Sequence, residues 1–258
     1  HPGIIAARNM PEIEVCGFRC HYEQRGQGTP LLCLPGALGT GLTDFGPQIE
    51  ELSDTFQVIA PDPRGYGRSH TPERSFTANF LQQDADDAAA LMSALGCGAY
   101  FAAGWSDGAT AAVLLAIAHP ERVRKLVIWG GNSYVSAEDI ELFERTRSIC
   151  SWSPRMRASL EAIYGDRLQD LWTGWCDAMA RLLEAGGEIC RRRLERVQCP
   201  TLILHGARDP LVPEFHPQVF REGIRGSRLH VFPEGRHNIH LYYAAEFNRL
   251  VREFLAAG

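Results

Sequence analysis

Six short apolar runs recur along the chain: LLCL at 31–34, FQVIA at 56–60, YFAAGW at 100–105, LVIWGG at 126–131, TLILHG at 201–206 and RLHVF at 228–232. Each is bounded by Gly, Pro or Asp, and most are apolar on both faces. Strands of that kind are stable only where both faces are covered, as in a parallel sheet between helices. The stretches between them carry helical period, as in NFLQQDADDAAALMSAL (79–95) and ATAAVLLAIAHP (109–120). This alternation predicts a doubly wound α/β fold with a mostly parallel twisted sheet and helices on both faces. The first 25 residues, with EIEVCGFRCHYEQRG, read as an antiparallel hairpin at the sheet edge.

The rhythm breaks between LVIWGG and TLILHG, where no strand pattern occurs. Leu160, Ile163, Tyr164, Leu168, Leu171, Trp172 and Trp175 recur there at spacings of three and four, and three of the five tryptophans fall in the segment. We expect a helical cap at 132–197, inserted into a core made of 1–131 and 198–258. It would lie over the C-terminal ends of the strands, where ligands bind in such sheets. The run RRRLER (191–196) reads as a solvated helix face.

Charge and cysteine usage exclude other classes. A net charge of −5 argues against nucleic acid, which calls for a basic face. No apolar run approaches the roughly 20 residues of a membrane span. The eight cysteines form no CxxC pair, and a chain of 258 residues needs no disulfide staples, so they read as thiols. The opening HPGIIAARN is either the remnant of a processed targeting segment or an arbitrary boundary, and its residues leave both open.

The stretch Gly104-Trp105-Ser106-Asp107-Gly108 carries the chemistry. G-x-S-x-G between a strand and a helix is the pattern of a nucleophile elbow, whose sharp turn admits only small neighbours. A serine hydroxyl needs a base to take its proton, and the base needs an orienting acid. In this order of elements the acid and the histidine follow in later loops. Asp209, in GARDPLVP after TLILHG, is the expected acid, and His237, in PEGRHNIH after RLHVF, the expected base. His240 reads as a surface or capping residue, His230 as structural and His205 as packing. The HxxH pair formed by His237 and His240 has no further ligand cluster near it in sequence, so no metal is expected. The oxyanion hole calls for two backbone N–H groups. These are expected from Asp107, next to the nucleophile, and from Ala37 in Pro35-Gly36-Ala37-Leu38-Gly39. Leu38 and Trp105 flank these donors and are expected to line the substrate pocket. No GK[ST] or GxGxxG accompanies the glycines of GALGTG, so they are not a nucleotide cradle.

These motifs together resemble the α/β-hydrolase family, and within it the biphenyl hydrolase-like group. The likeness is carried by LPGALGTGLTDFGPQ, DPRGYGRS, GWSDG, VIWGGNSYV, VQCPTLILHGARDPLVP and EGRHNIHL, and runs from about residue 12 to the end. The resemblance implies a serine hydrolase of α-amino acid esters, including amino acid ester prodrugs of nucleoside analogues such as valacyclovir. It implies a monomer without cofactor, acting on a small-molecule ester with a free α-amino group. It further implies a mitochondrial location, with the cytoplasm as the alternative. Carried over by motif, the triad is Ser106, Asp209 and His237. A generic carboxylesterase and a C–C bond hydrolase of ring-cleavage dienoates share these parts.

Asp107 separates these readings. A fixed anion about 4 Å from a developing oxyanion would raise its energy by about 4 kcal/mol at an effective dielectric near 20. A substrate that carries its own cation removes that penalty, and an α-ammonium lies two bonds from the ester carbonyl carbon. Asp107 is therefore expected to bind the substrate ammonium. A carboxylate in the first turn of a helix, stabilised by the free N–H groups there, is the alternative reading.

Overall fold

The computed structural model describes residues 11–257. The opening HPGIIAARN lies outside them. Strands β1 (Glu12–Val15) and β2 (Phe18–Arg25) form an antiparallel hairpin whose two turn residues, Cys16 and Gly17, both have positive φ. That backbone matches the right-handed twist of paired strands. The hairpin occupies one edge of an eight-stranded sheet with order β1-β2-β4-β3-β5-β6-β7-β8. The remaining strands are β3 (Pro30–Leu34), β4 (Gln57–Pro61), β5 (Tyr100–Trp105), β6 (Val123–Trp129), β7 (Thr201–Gly206) and β8 (Arg228–Phe232). All pairings from β4 to β8 are parallel.

Alternation along the strands feeds two cores. Leu32 and Leu34 of β3 and Leu126 and Ile128 of β6 face α2 (Phe80–Ala94), α3 (Asp107–Ala118) and α7 (Phe215–Gly223). Leu31 and Cys33, with Val127 and Trp129, face α1 (Gly41–Leu52) and α9 (Ala244–Ala256). The apolar runs are apolar on both faces because both are covered. Strand β8 is the exception: as an edge strand it leaves Arg228 and Val231 exposed.

Between β6 and β7 lie α4 (Ala137–Thr146), α5 (Pro154–Tyr164) and α6 (Leu168–Glu184). The apolar period read across 160–175 spans two helices, divided by a 3-10 turn at Gly165–Arg167 where Gly165 takes a positive φ. Trp152, Trp172, Trp175 and Phe143 pack together, with Trp172 and Trp175 stacked at 4.7 Å and 9°. Arg191–Arg196 forms a 3-10 helix, with Leu194 buried beneath the arginines. The chain NIHLYYAAEFNRLVREFL is likewise two helices, α8 (Ile239–Tyr242) and α9, broken at Tyr243.

Candidate active site

Ser106 sits at the junction of β5 and α3 with φ 56° and ψ −123°, a strained backbone for a residue with a Cβ. The turn is held from outside, since the Ser106 N–H donates to the Trp129 carbonyl at 3.0 Å. A Cβ on Gly104 would lie 2.1 Å from the Gly108 carbonyl oxygen, and one on Gly108 would lie 2.0 Å from that of Leu34. Both glycines are therefore required by contact. These are the two small positions on which the elbow reading rests.

His237 lies in the loop after β8, and Asp209 in the loop after β7. His237 Nδ1 and Asp209 Oδ2 are 2.8 Å apart. The other oxygen of Asp209 accepts the N–H groups of Leu211 (2.9 Å) and Val212 (3.0 Å). Burial alone would push the Asp209 carboxyl up, but the His237 charge and hydrogen bond, with these two N–H donors, hold it below the usual carboxylate range. The histidine loop is clamped by Trp105, whose indole N–H donates to the His237 carbonyl at 2.9 Å while its ring packs on the imidazole. Ser106 and His237 line one cleft of about 580 Å³.

Asp107 opens α3, so its N–H has no partner inside the helix. Ala37 gives its N–H to no protein acceptor among the described residues. Both residues line the same cleft as Ser106, as two oxyanion donors must. Leu38 and Trp105 line it as well. The loop carrying Ala37 is tied to the core by Asp44, which accepts the Gly36 N–H at 3.0 Å.

Asp107 lines this cleft and is buried. Its Oδ2 accepts the indole N–H of Trp175 on α6 at 2.7 Å. No Lys or Arg among the described residues forms an ion pair with it. The guanidinium of Arg74 acts on it only through space, being committed to Asp84 at 2.6 and 2.7 Å. Burial dominates and pushes the Asp107 carboxyl up to about 7, opposed by the Trp175 N–H and the Arg74 charge. The carboxylate thus has one neutral donor and no direct cation.

His240 departs from its expected place at the surface. It is fully buried, accepts the Trp129 indole N–H at 3.0 Å, and packs 4.6 Å from the Trp105 ring. Burial drives its pKa down to about 3, so it is a neutral packing residue. His205 is buried at the end of β7, whereas His230 is half-exposed and 3.9 Å from Glu246. No group of His, Cys, Asp or Glu among the described residues is arranged to hold a metal ion.

Sequence reasoning missed Trp175, Asp44 and Asn132. Asn132 lines the cleft and is held by Asp139 (3.3 Å) and His216 (2.9 Å), themselves paired and fully buried. Trp175 carried a signal, its place on the apolar stripe of the insert, but nothing in the pattern marks the direction of its N–H. Asp44 falls within TDFGPQ beside a glycine-rich loop, the only local hint of its contact.

An elbow serine, a paired His and Asp, and free N–H groups in one cleft agree with what comparison shows. Residues 31–250 match the Alpha/beta hydrolase family. The chain is an α/β-hydrolase. It is 47% identical over 248 residues to human "Serine hydrolase BPHL", covering 95% of this chain and 85% of that protein. The mouse protein of the same name is 46% identical with the same coverage. The chain is also 29% identical over 283 residues to "2-hydroxymuconate semialdehyde hydrolase" of Pseudomonas sp. (strain CF600), covering 97% and 96% of the two chains. Its fold superposes on the meta-cleavage product hydrolase of Pseudomonas fluorescens with TM-score 0.81 at 22% identity, covering 95% and 97%. The hydrolase is thus a serine hydrolase of the α/β class, and its fold is shared with enzymes of several substrate types.

Proposed function

We propose that the hydrolase cleaves esters of α-amino acids, with Ser106 as nucleophile, His237 as base and Asp209 as the acid that orients it. Ser106 Oγ attacks the ester carbonyl carbon as its proton passes to the imidazole, and Asp209 stabilises the imidazolium that forms. The tetrahedral oxyanion is met by the N–H groups of Ala37 and Asp107. The imidazolium returns its proton to the departing alcohol, and water then hydrolyses the acyl-serine by the same steps. The helical insert acts as a cap that encloses the acyl group, since Phe143, Trp152, Met156, Leu160, Trp172 and Trp175 line the cleft with Ser106.

The observation that carries this reading is Asp107 itself, a buried residue that lines the cleft next to the nucleophile and has no ion-pair partner among the described residues. A buried carboxylate without a cation is unfavourable, and here that shows as a carboxyl pushed up to about 7. An α-ammonium supplies the missing charge as the ester carbonyl enters the oxyanion hole. Relatives such as the Pseudomonas 2-hydroxymuconate semialdehyde hydrolase act, by name, on a substrate of another type. An anionic substrate in this cleft would face Asp107 directly, which disfavours ring-cleavage chemistry.

The test is a hydrolysis panel in which one alcohol is esterified with an amino acid, its N-acetyl form and the deaminated acid. The amino ester should exceed both others in kcat/KM by at least about 100-fold, the value of one desolvated charge pair. Equal rates on all three would reduce the enzyme to a generic esterase.

A further inference from the structure

The oxyanion loop Gly36-Ala37-Leu38-Gly39 is held at two ends by different parts of the molecule. On the core side, Asp44 accepts the Gly36 N–H at 3.0 Å, and the Gly39 N–H closes a turn onto the Gly36 carbonyl at 3.0 Å. Between these bonds Leu38 adopts φ 63°, the left-handed region that a leucine rarely occupies. Such strain persists only where the surroundings hold it. The holding group comes from the insert: Tyr164, the last residue of α5, donates its hydroxyl to the Leu38 carbonyl at 2.7 Å. The Tyr164 hydroxyl oxygen in turn accepts the Gly67 N–H at 3.1 Å, from the loop after β4. One hydroxyl donor and one of its acceptor positions are thus committed to two core loops. The ring is buried and packs edge-on against Tyr66 at 6.2 Å and 72°.

We propose that Tyr164 is a positioning residue for the oxyanion hole, which is complete only when the insert is seated on the core. The Tyr164 hydroxyl fixes the peptide that follows Leu38, and with it the orientation of the neighbouring Ala37 N–H. The Gly39 N–H closes this peptide only onto the loop's own Gly36 carbonyl, whereas the Tyr164 hydroxyl ties it to the insert. An N–H displaced by a fraction of an ångström still permits substrate to bind but no longer meets the oxyanion. The effect therefore belongs to kcat rather than KM. It is also indifferent to whether the substrate carries an amino group, so it stands apart from the ammonium reading.

The test is Tyr164→Phe, which removes the hydroxyl and keeps the ring. The expected result is a fall in kcat between about tenfold and 100-fold, equal for amino and deaminated esters, with KM within about twofold. Affinity for a trifluoromethyl ketone, which forms the tetrahedral adduct, should fall by the same factor, while affinity for the carboxylic acid product stays unchanged. A purely structural pin would lower the melting temperature and leave kcat and ketone affinity at the wild-type level, which would overturn the proposal. Should Tyr164→Phe be too unstable to assay, 3-fluorotyrosine at 164 keeps the ring and hydroxyl while altering donor strength. A proportional change in kcat on both ester classes then supports the proposal, and an unaltered kcat overturns it. If the ester panel shows no preference for amino esters while Tyr164→Phe lowers kcat on all of them, only the ammonium reading fails.

Discussion

Two buried aspartates serve one cleft, and the protein treats them oppositely. Asp209 receives an imidazole and two backbone N–H groups, and its carboxyl is held below the ordinary range despite burial. Asp107 receives one indole N–H, and burial pushes its carboxyl up to about 7. The difference lies in what each region supplies: the loops after β7 and β8 complete the charge of Asp209 themselves. The region under the insert leaves Asp107 short of a cation. On the proposed reading, the carboxylate satisfied by its own fold is fixed machinery and the one left incomplete is completed by the substrate's ammonium.

Substitutions at the two sites should therefore differ in kind. Asp209→Asn should lower kcat by about 10⁴-fold on every ester, because the wrong imidazole tautomer disables the base whatever the acyl group. Asp107→Asn keeps its backbone N–H and should lower kcat/KM by about 100-fold on amino esters alone. Deaminated esters should stay within about threefold, and the contrast appears in one steady-state panel. An equal loss on both ester classes would erase the distinction between the sites. Trp175→Phe removes the donor that favours the charged form of Asp107. It should raise KM for amino esters about tenfold and move the acid limb of their KM profile upward in pH.

The pH dependence has a sign that follows from the raised carboxyl. Ammonium binding requires Asp107 ionised, so KM for amino esters should rise about tenfold per unit as pH falls below about 7. It should rise again where the free α-amino group loses its proton, near about 7.7–8.0 for an ordinary α-amine. Deaminated esters should show neither limb in KM.

The smallest effect concerns stability. A carboxyl raised in the folded state destabilises the fold where it is ionised, above about 7, and that penalty eases as pH falls and the folded chain takes up the proton. Ligand-free Asp107→Asn should therefore melt above wild type at pH 8, by about 3 °C for each kcal/mol relieved. The gap should shrink by pH 6, which thermal denaturation at the two pH values would show.

Legibility in the sequence divides along the same line. The sheet, the elbow turn and the pairing of Asp209 with His237 could be read because each depends on local pattern: strands apolar on both faces, two glycines forced by backbone contact, and Asp209 and His237 in loops after strands. The breaks in the helical segments at Gly165 and Tyr243 were not legible, since apolar period continues across both. The partners of Asp107 were hidden for a different reason. Trp175 is 68 positions away and reaches the carboxylate only because the fold brings α6 beside the start of α3. His240 was misplaced because its position in the short helix α8 says nothing of Trp105, Phe45 and Trp129, which enclose it. Chemistry carried by neighbours in the chain is visible, and chemistry assembled by the insert is not.

The claim that Asp107 awaits a cation is tested most directly by titrating its carboxyl, by difference infrared spectroscopy against Asp107→Asn. The titration is run once on the empty enzyme and once with a non-hydrolysable aminoacyl amide bound. The account predicts a midpoint near 7 in the empty enzyme that moves well down into the ordinary carboxylate range when the ammonium is present. A midpoint already in that range without ligand, and unmoved by it, would contradict the account.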